Sequence, residues 1–190
     1  MEQARPNRGA RMTLARHDPA RWMRIIAEKE AQTSSPIARA MLSTLQKRFL
    51  CAYTQDINGF LGTFAPSFER VAYVGGSAQA SSLDDLECLA NLRAFTWPEV
   101  NSLIVDTGVI AVEGVFNIVL TNDETRQGLG LTAEGEGAKH LLSAQAALFI
   151  HFRDGLQTRE IAYGGTAPTI TRLADDDTLC MAAAIAETRP

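Results

Sequence analysis

Two polar side chains that could share a ligand lie four residues apart in a long β-prone segment. Glu113 and Asn117 both fall within Val109 to Thr121, which is rich in Val and Ile. Because side chains alternate between the two faces of a strand, residues four apart lie two steps along one face. A carboxylate and an amide at this spacing could bind one ligand or one water molecule, with Glu113 as a general base. The alternative is a half-exposed sheet face or a dimer contact.

Glu160 and His151 are the other candidates for proton transfer. Glu160 lies in a second β-prone run, Leu156 to Tyr163, and could act as a base. A solvated carboxylate beside Arg159 is the alternative there. Histidine titrates nearest to neutrality, so His151 or His140 could also serve as a base. Both histidine positions are equally typical of surface groups.

A small-molecule pocket needs a few polar groups that orient the ligand between apolar walls. We predict this role for Asn117 and for four further residues: Tyr53, Trp97, Gln145 and Tyr163. The sequence contains no G-x-S-x-G, Walker or H-E-x-x-H motif. Gly128-Leu129-Gly130 lacks the flanking strand and helix that a dinucleotide site requires. We therefore expect no cofactor.

Charge, hydropathy and cysteine spacing exclude several kinds of partner. The net charge is −4, and residues 1–35 carry seven Lys or Arg against four Asp or Glu, so the remainder is clearly acidic. Nucleic-acid binding needs a clustered basic face, which an acidic body does not provide. Apolar runs such as Ala146 to Ile150 are far short of the ~20 residues that span a bilayer. The cysteines at 51, 88 and 180 are scattered without metal-ligand spacing, which indicates a reduced, cytoplasmic setting and no metal site.

Helix signals come first along the chain. Asp18-Pro19 and Ser35-Pro36 each combine a capping residue with proline at the first helical position. They predict a short helix to about Ala31 and a helix of about five turns with an apolar stripe at every fourth residue: Ile37, Met41, Leu45, Phe49 and Tyr53. Gly59 to Phe64 predicts another short helix. A third main helix is predicted from Ser81 onward and ends at Trp97-Pro98.

Strand signals follow the helices. The predicted strands are Phe68 to Val74, Val100 to Val105, Val109 to Thr121, His140 to Phe152 and Leu156 to Tyr163. Asp106-Thr107-Gly108 and Asp154-Gly155 predict hairpin turns. The segment 122–139 is a lid, an insertion or a loop across a sheet edge, and Thr178 to Ala186 predicts a last helix. Helices followed by antiparallel strands indicate an α+β fold.

Three segments resemble the SnoaL-like branch of the nuclear transport factor 2-like superfamily, which includes ketosteroid-isomerase-like proteins. Asp56 to Pro66 resembles the family's turn after its first long helix. Leu103 to Val112 resembles its hairpin, and Phe149 to Gly155 resembles the segment before its last strand. With the order of elements, the resemblance covers about residues 37–165.

The resemblance implies a cone-shaped α+β barrel, in which a strongly curved mixed or antiparallel sheet wraps around N-terminal helices and encloses an apolar pocket. It divides the chain into a basic, partly disordered or helical extension (1–35), the SnoaL-like domain (36–170) and a helical tail (171–190). A homodimer is common in the family. Where family members often carry acids, this chain has Leu148 and Ala162.

Two functions follow from these expectations. The first is binding of a small, largely apolar molecule, with cofactor-free acid–base catalysis of the isomerase, cyclase, dehydratase or epoxide hydrolase type by Glu113 or Glu160. The second is a non-enzymatic ligand-binding or protein-interaction module, which the apolar residues at 148 and 162 favour. Fold alone does not decide between them.

Overall fold

The computed structural model describes residues 21–74, 76–86, 95–120, 139–165 and 168–173. Its helices are α1 (Arg21–Gln32), α2 (Pro36–Thr54) and α3 (Ile57–Leu61). Its strands are β1 (Phe64–Val74), β2 (Ser77–Ser82), β3 (Phe95–Asp106), β4 (Val109–Leu120), β5 (His140–Arg153), β6 (Leu156–Gly164) and β7 (Thr169–Arg172). The predicted lid at 122–138, the last helix and the first part of the N-terminal extension lie outside the described residues.

Local signals set the start and end of α2 as predicted. Ser35 Oγ accepts a hydrogen bond from the Ala38 amide at 3.3 Å, and Pro36 occupies the first helical position. At the other end Gln55 takes the left-handed conformation, with φ of 59°. The predicted stripe is buried except for Ile37, which lies in the exposed first turn. These signals confirm the predicted five-turn helix.

The helix α1 packs into the same core as α2. Trp22 and Ile26 are fully buried, and the Trp22 ring meets the Phe49 ring edge-on at 5.6 Å between centroids. This segment belongs to the region predicted as an N-terminal extension. Its apolar side chains nevertheless contribute to the core of the domain.

The strands form one curved, unclosed mixed sheet in the described part of the chain. The strand order is β2-β1-β6-β5-β4-β3, and β7 pairs with the N-terminal part of β5. Neighbours are antiparallel except β1 and β6, which are parallel. At the β5–β6 turn, Asp154 and Gly155 have φ of 53° and 77°, the positive values that a two-residue hairpin requires. This turn and the β3–β4 hairpin confirm the predicted hairpins.

Three predicted elements differ from the structure. The helix α3 begins at Ile57, because Asp56 Oδ1 accepts a hydrogen bond from the Gly59 amide at 2.9 Å and caps the helix there. The strand β1 begins at Phe64, four residues earlier than predicted. The predicted third main helix begins at Leu83 instead of Ser81, because Ser81 and Ser82 still belong to β2 and residues 83–86 are helical. The Ser82 amide donates to Asp85 Oδ2 at 2.7 Å and caps this helix start.

The prediction that Trp97-Pro98 ends a helix is wrong, since both residues lie inside β3. In the described sheet β3 is an edge strand that pairs with β4 alone. Proline lacks an amide donor, and an edge strand tolerates this loss because one of its sides needs no sheet partner. Helix-ending and edge-strand proline therefore look alike in sequence.

The core lies between α1, α2 and one face of the sheet. Along the first half of β4 the buried positions are the even ones, Ile110, Val112 and Gly114. In the second half Phe116 and Ile118 are only partly buried, whereas the odd positions Asn117 and Val119 are fully buried. The more deeply buried face of β4 therefore changes after Gly114.

Candidate functional site

Tyr53 and Trp97 form an aromatic corner between the last turn of α2 and the start of β3. Both side chains are 1% exposed, and their rings meet edge-on with centroids 6.2 Å apart. The Tyr53 hydroxyl has no hydrogen-bond partner among the described residues. Burial raises the pKa of Tyr53 to about 12. The hydroxyl is thus protonated at neutral pH and available as a donor.

Asn117 lies directly across the ladder from Trp97 and is fully buried. Its Nδ2 donates to Glu99 Oε1 at 3.1 Å, and its Oδ1 accepts from Ser143 Oγ at 2.7 Å. These three residues, here called the Asn117 cluster, connect β3, β4 and β5. The structure therefore brings together three residues predicted to line a pocket, Tyr53, Trp97 and Asn117.

Glu99 is the carboxylate that sequence reasoning missed. A helix that ends at Trp97-Pro98, as the sequence predicts, leaves Glu99 in a connection. In a strand, Trp97 and Glu99 lie two residues apart and share a face. The same alternation that identified Glu113 would have placed Glu99 beside Trp97 on an edge strand.

Glu160 occupies a buried ion-pair cluster instead of a pocket wall. Its carboxylate is 1% exposed, with Oε1 at 2.8 Å from Arg70 Nε and Oε2 at 2.6 Å from Arg48 Nη2. Arg48 also donates from Nη1 to Gln157 Oε1 at 2.6 Å. The guanidinium of Arg48 lies 5.2 Å from the centroid of the Phe64 ring.

Opposing effects act on the pKa of Glu160. Burial by itself raises the pKa, but the charges and hydrogen bonds of Arg48 and Arg70 outweigh it and lower the pKa below its usual value. A carboxylate with a lowered pKa is a weak proton acceptor at neutral pH. This geometry favours a role of Glu160 in holding α2, β1 and β6 together.

The remaining predicted site residues lie elsewhere on the sheet. Glu113 and Gln145 are exposed, and His151 is half-buried beside the β5–β6 turn. Tyr163 is 47% exposed and stacks on Tyr73, with ring centroids 5.1 Å apart and planes within 8°. Phe149 meets Tyr163 edge-on at 5.9 Å. We call the exposed group Tyr73, Phe149 and Tyr163 the aromatic patch.

No group of three or more metal-ligating side chains lies together within the described ranges. The helices that the structure describes are all too short or too polar to cross a membrane.

Comparison with solved structures returns proteins of one architecture. A nuclear transport factor 2-like protein of unknown function from Cytophaga hutchinsonii is 7% identical over 70% of this chain and 94% of its own, with a TM-score of 0.45. A proposed polyketide cyclase from Xanthomonas campestris pv. campestris is 16% identical, covering 67% and 91%, with a TM-score of 0.48. An LEH-like epoxide hydrolase from M. tuberculosis is 9% identical, covering 80% and 93%, with a TM-score of 0.49. No protein-family model matches the sequence, and no curated protein is similar to it.

The element order and the strand order decide the fold. Three helices precede a curved sheet in which the last long strand, β6, lies beside β1 and in parallel with it. A curved sheet after N-terminal helices is what the resemblance of the sequence implied, whereas the parallel β1–β6 pair was not predicted. The chain has a mixed α+β fold in which a curved, unclosed sheet packs against a few helices.

The two positions where the resemblance implied acids hold buried apolar groups. Leu148 and Ala162 pair across β5 and β6 and belong to the core. The buried polar groups described above lie along the middle and the C-terminal end of α2. Arg48, on α2, pairs with Glu160, and Tyr53 with the Asn117 cluster lies at the C-terminal end of the helix.

Proposed function

We propose that the chain binds a small, largely apolar molecule with one oxygen function, where Tyr53, Trp97 and the Asn117 cluster meet. The Tyr53 hydroxyl carries this proposal, because it is buried with no partner among the described residues. A buried donor without a partner costs about 1–3 kcal/mol. A ligand oxygen that accepts this hydrogen bond would remove the cost. The Trp97 and Tyr53 rings supply the apolar wall.

We further propose that Glu99 is a general base for cofactor-free chemistry at this position. Asn117 and Ser143 fix the Glu99 carboxylate through two consecutive hydrogen bonds. A fixed carboxylate beside an apolar wall can remove a proton next to a carbonyl whose oxygen accepts from a tyrosine hydroxyl. Isomerisation, cyclisation, dehydration and hydration, the reaction types that the resemblance implies, all include proton transfer. Cys51, buried and unbonded to another cysteine, agrees with the proposed cytoplasmic location.

The Tyr53 proposal is tested with Tyr53→Phe and 1-tetralone, an apolar ketone whose oxygen can only accept. Because the variant removes a buried hydroxyl that has no partner among the described residues, its thermal stability should equal or exceed that of the wild type. Its affinity for 1-tetralone should fall about tenfold, the equivalent of one hydrogen bond. Titration followed by tryptophan fluorescence measures the affinity. Equal affinity of the two proteins contradicts the proposal.

Hydrogen–deuterium exchange at C2 of 1-tetralone separates catalysis from simple binding. In D₂O a general base removes the C2 proton while the carbonyl oxygen accepts from Tyr53, and the same carbon then takes a deuteron. We expect the wild type to accelerate this exchange and Glu99→Gln to lose about 100-fold of the acceleration or more. Glu113→Gln is the matched control and should retain it. Binding without exchange supports the alternative, a non-enzymatic ligand-binding module.

A second proposal concerns assembly, and the aromatic patch favours it. We propose that this face of the sheet pairs with a second copy of the chain as a homodimer. Exposed contiguous aromatic side chains are unfavourable in water and mark association surfaces. Acidic Glu113 and basic Arg159 are both exposed on the strands that carry the patch or adjoin it. In a twofold interface the acid of one copy can face the base of the other.

A further inference from the structure

A cavity of about 500 Å³ lies at the end of the sheet away from Trp97 and Asn117. It is open to solvent on one side and is lined by the end of α1, the linker to α2, the first turns of α2 and the β3–β4 turn. Small-molecule sites commonly measure about 300–1,000 Å³. None of the residues assigned above to ligand binding or catalysis lines this cavity.

One wall of the cavity is apolar. Ile37, Met41 and Val105 line it, and Ile37 is 65% exposed although it lies on a well-formed helix. An isoleucine side chain in contact with water is unfavourable, and an apolar ligand that covers it would gain free energy. The wall therefore fits a hydrocarbon chain.

Polar groups and one cation also line the cavity. Lys29 is half-buried on the last turns of α1, and it has no ion-pair partner among the described residues. The acid in the lining, Asp106, accepts a hydrogen bond from the Thr107 amide at 2.6 Å and so stabilises the turn. The first turn of α2 adds the positive end of a helix dipole to the same lining. Together these groups favour an anion with hydrogen-bonding oxygens.

We propose that this cavity is a second binding site and that it takes an amphiphilic monocarboxylate. The carboxylate pairs with Lys29, and the hydrocarbon chain lies along Ile37, Met41 and Val105. The site depends on α1, because α1 and its linker supply the cation and part of the lining. It is independent of the proposed function at Tyr53.

Octanoate and 1-octanol test the proposal on the full ¹⁵N-labelled chain, since they share a hydrocarbon chain and differ in charge. We expect octanoate to shift the amide signals of the linker, the first turns of α2 and the β3–β4 turn. Lys29→Met, which keeps the side-chain length, should lower the affinity for octanoate by about tenfold or more and leave the affinity for 1-octanol unchanged. Lys47→Met, an exposed lysine on α2 outside the cavity, should change neither.

Ile37→Asp provides a second variant that is expected to fold, because the replaced side chain is mostly exposed. This variant should bind both octanoate and 1-octanol more weakly than the wild type does. The proposal is overturned if octanoate shifts signals only around Tyr53 and Trp97, or shifts none at millimolar concentration. It is also overturned if Lys29→Met binds octanoate as the wild type does. These results leave the Tyr53 proposal untouched, because that site is read by different signals.

Discussion

Two arginines from different elements, Arg48 on α2 and Arg70 on β1, hold the buried carboxylate of Glu160. Glu160→Gln removes the negative charge and leaves Arg48 and Arg70 without compensation, although Arg48 is almost completely buried. Breaking one partner out of a buried ion pair costs about 3–5 kcal/mol. We expect the free energy of unfolding to fall by that amount in urea denaturation. Glu113→Gln, the same substitution at an exposed strand position, should change it by no more than about 0.5 kcal/mol.

The same carboxylate predicts how stability depends on pH. Its pKa is lowered in the folded state, so the unfolded chain takes up its proton first as the pH falls. The resulting stabilisation is present in full above the usual carboxyl pKa of 4.5 and is lost as the pH falls from there through the folded-state pKa. The stability difference between wild type and Glu160→Gln should therefore shrink below pH 4.5. A difference that stays constant down to pH 3 would contradict this assignment.

Residue types predicted the candidate site only in part. Tyr53 and Asn117 could be proposed because a tyrosine ends an apolar stripe and an amide interrupts a β-prone run. The ion pairs of Glu160 could not be predicted from the sequence, since Arg48 and Arg70 come from distant segments and pair with Glu160 only after the sheet has formed. A signal did exist, because Arg48 follows Leu45 by three residues and thus lies on the apolar side of α2.

At the scale of elements, replacing glycine by alanine should lower the free energy of unfolding by different amounts at two positions. A Cβ at Gly114 on β4 would clash with the backbone carbonyl of Glu99, next to the register shift between Val100 and Ser102 on β3. A Cβ at Gly155 would meet open space, and only its φ of +77° opposes a side chain. Gly155→Ala should cost about 1 kcal/mol, whereas Gly114→Ala should cost up to about 3 kcal/mol through overpacking.

The two variants also differ in their expected effect on the site. Gly114→Ala pushes β3 away from β4 beside Glu99, so it should weaken 1-tetralone binding as well as stability. Gly155→Ala lies at the β5–β6 turn and should leave binding unchanged. Urea denaturation and fluorescence titration measure the two quantities. If both variants lose the same fraction of their affinity for 1-tetralone, the ligand does not bind near Glu99.

Elements with local signals were predictable, and those formed by distant pairing were not. Ser35-Pro36 and Asp154-Gly155 specify a helix start and a hairpin within a few residues, and both predictions are confirmed. The short strands β2 and β7 have mostly exposed side chains and therefore no alternating pattern. They form because the long strands β1 and β5 offer an edge.

At the scale of the whole molecule, the fold separates two clusters of buried polar groups from an exposed group of aromatic side chains. The Arg48–Glu160 cluster lies in the interior, the Asn117 cluster lies at one end of β4, and the aromatic patch faces outward. Order of elements along the chain predicted the α+β architecture, but the parallel pairing of β1 with β6 needs the whole sheet to be assembled. The same closing step buries Glu160 opposite Arg70.

The aromatic patch provides a prediction about the assembled protein. Tyr163→Glu places a charge in the middle of the patch, between Tyr73 and Phe149. If this face joins two copies, burial of that carboxylate is unfavourable and the dimer should dissociate. Since Tyr163 is half-exposed in the single chain, folding should be retained. Sedimentation velocity measures the change from dimer to monomer, and circular dichroism verifies the fold.

Ile37→Glu is the matched control, because it also introduces an acid at an exposed apolar position but lies on α2 and not on the patch. It should sediment as the wild type does. A wild-type chain that is monomeric at high micromolar concentration would refute the dimer, as would a Tyr163→Glu variant that remains dimeric. If the dimer dissociates in both variants, the interface includes the α2 surface around Ile37 in addition to the aromatic patch. Only loss of the dimer in Tyr163→Glu alone assigns the interface to the outer face of the sheet.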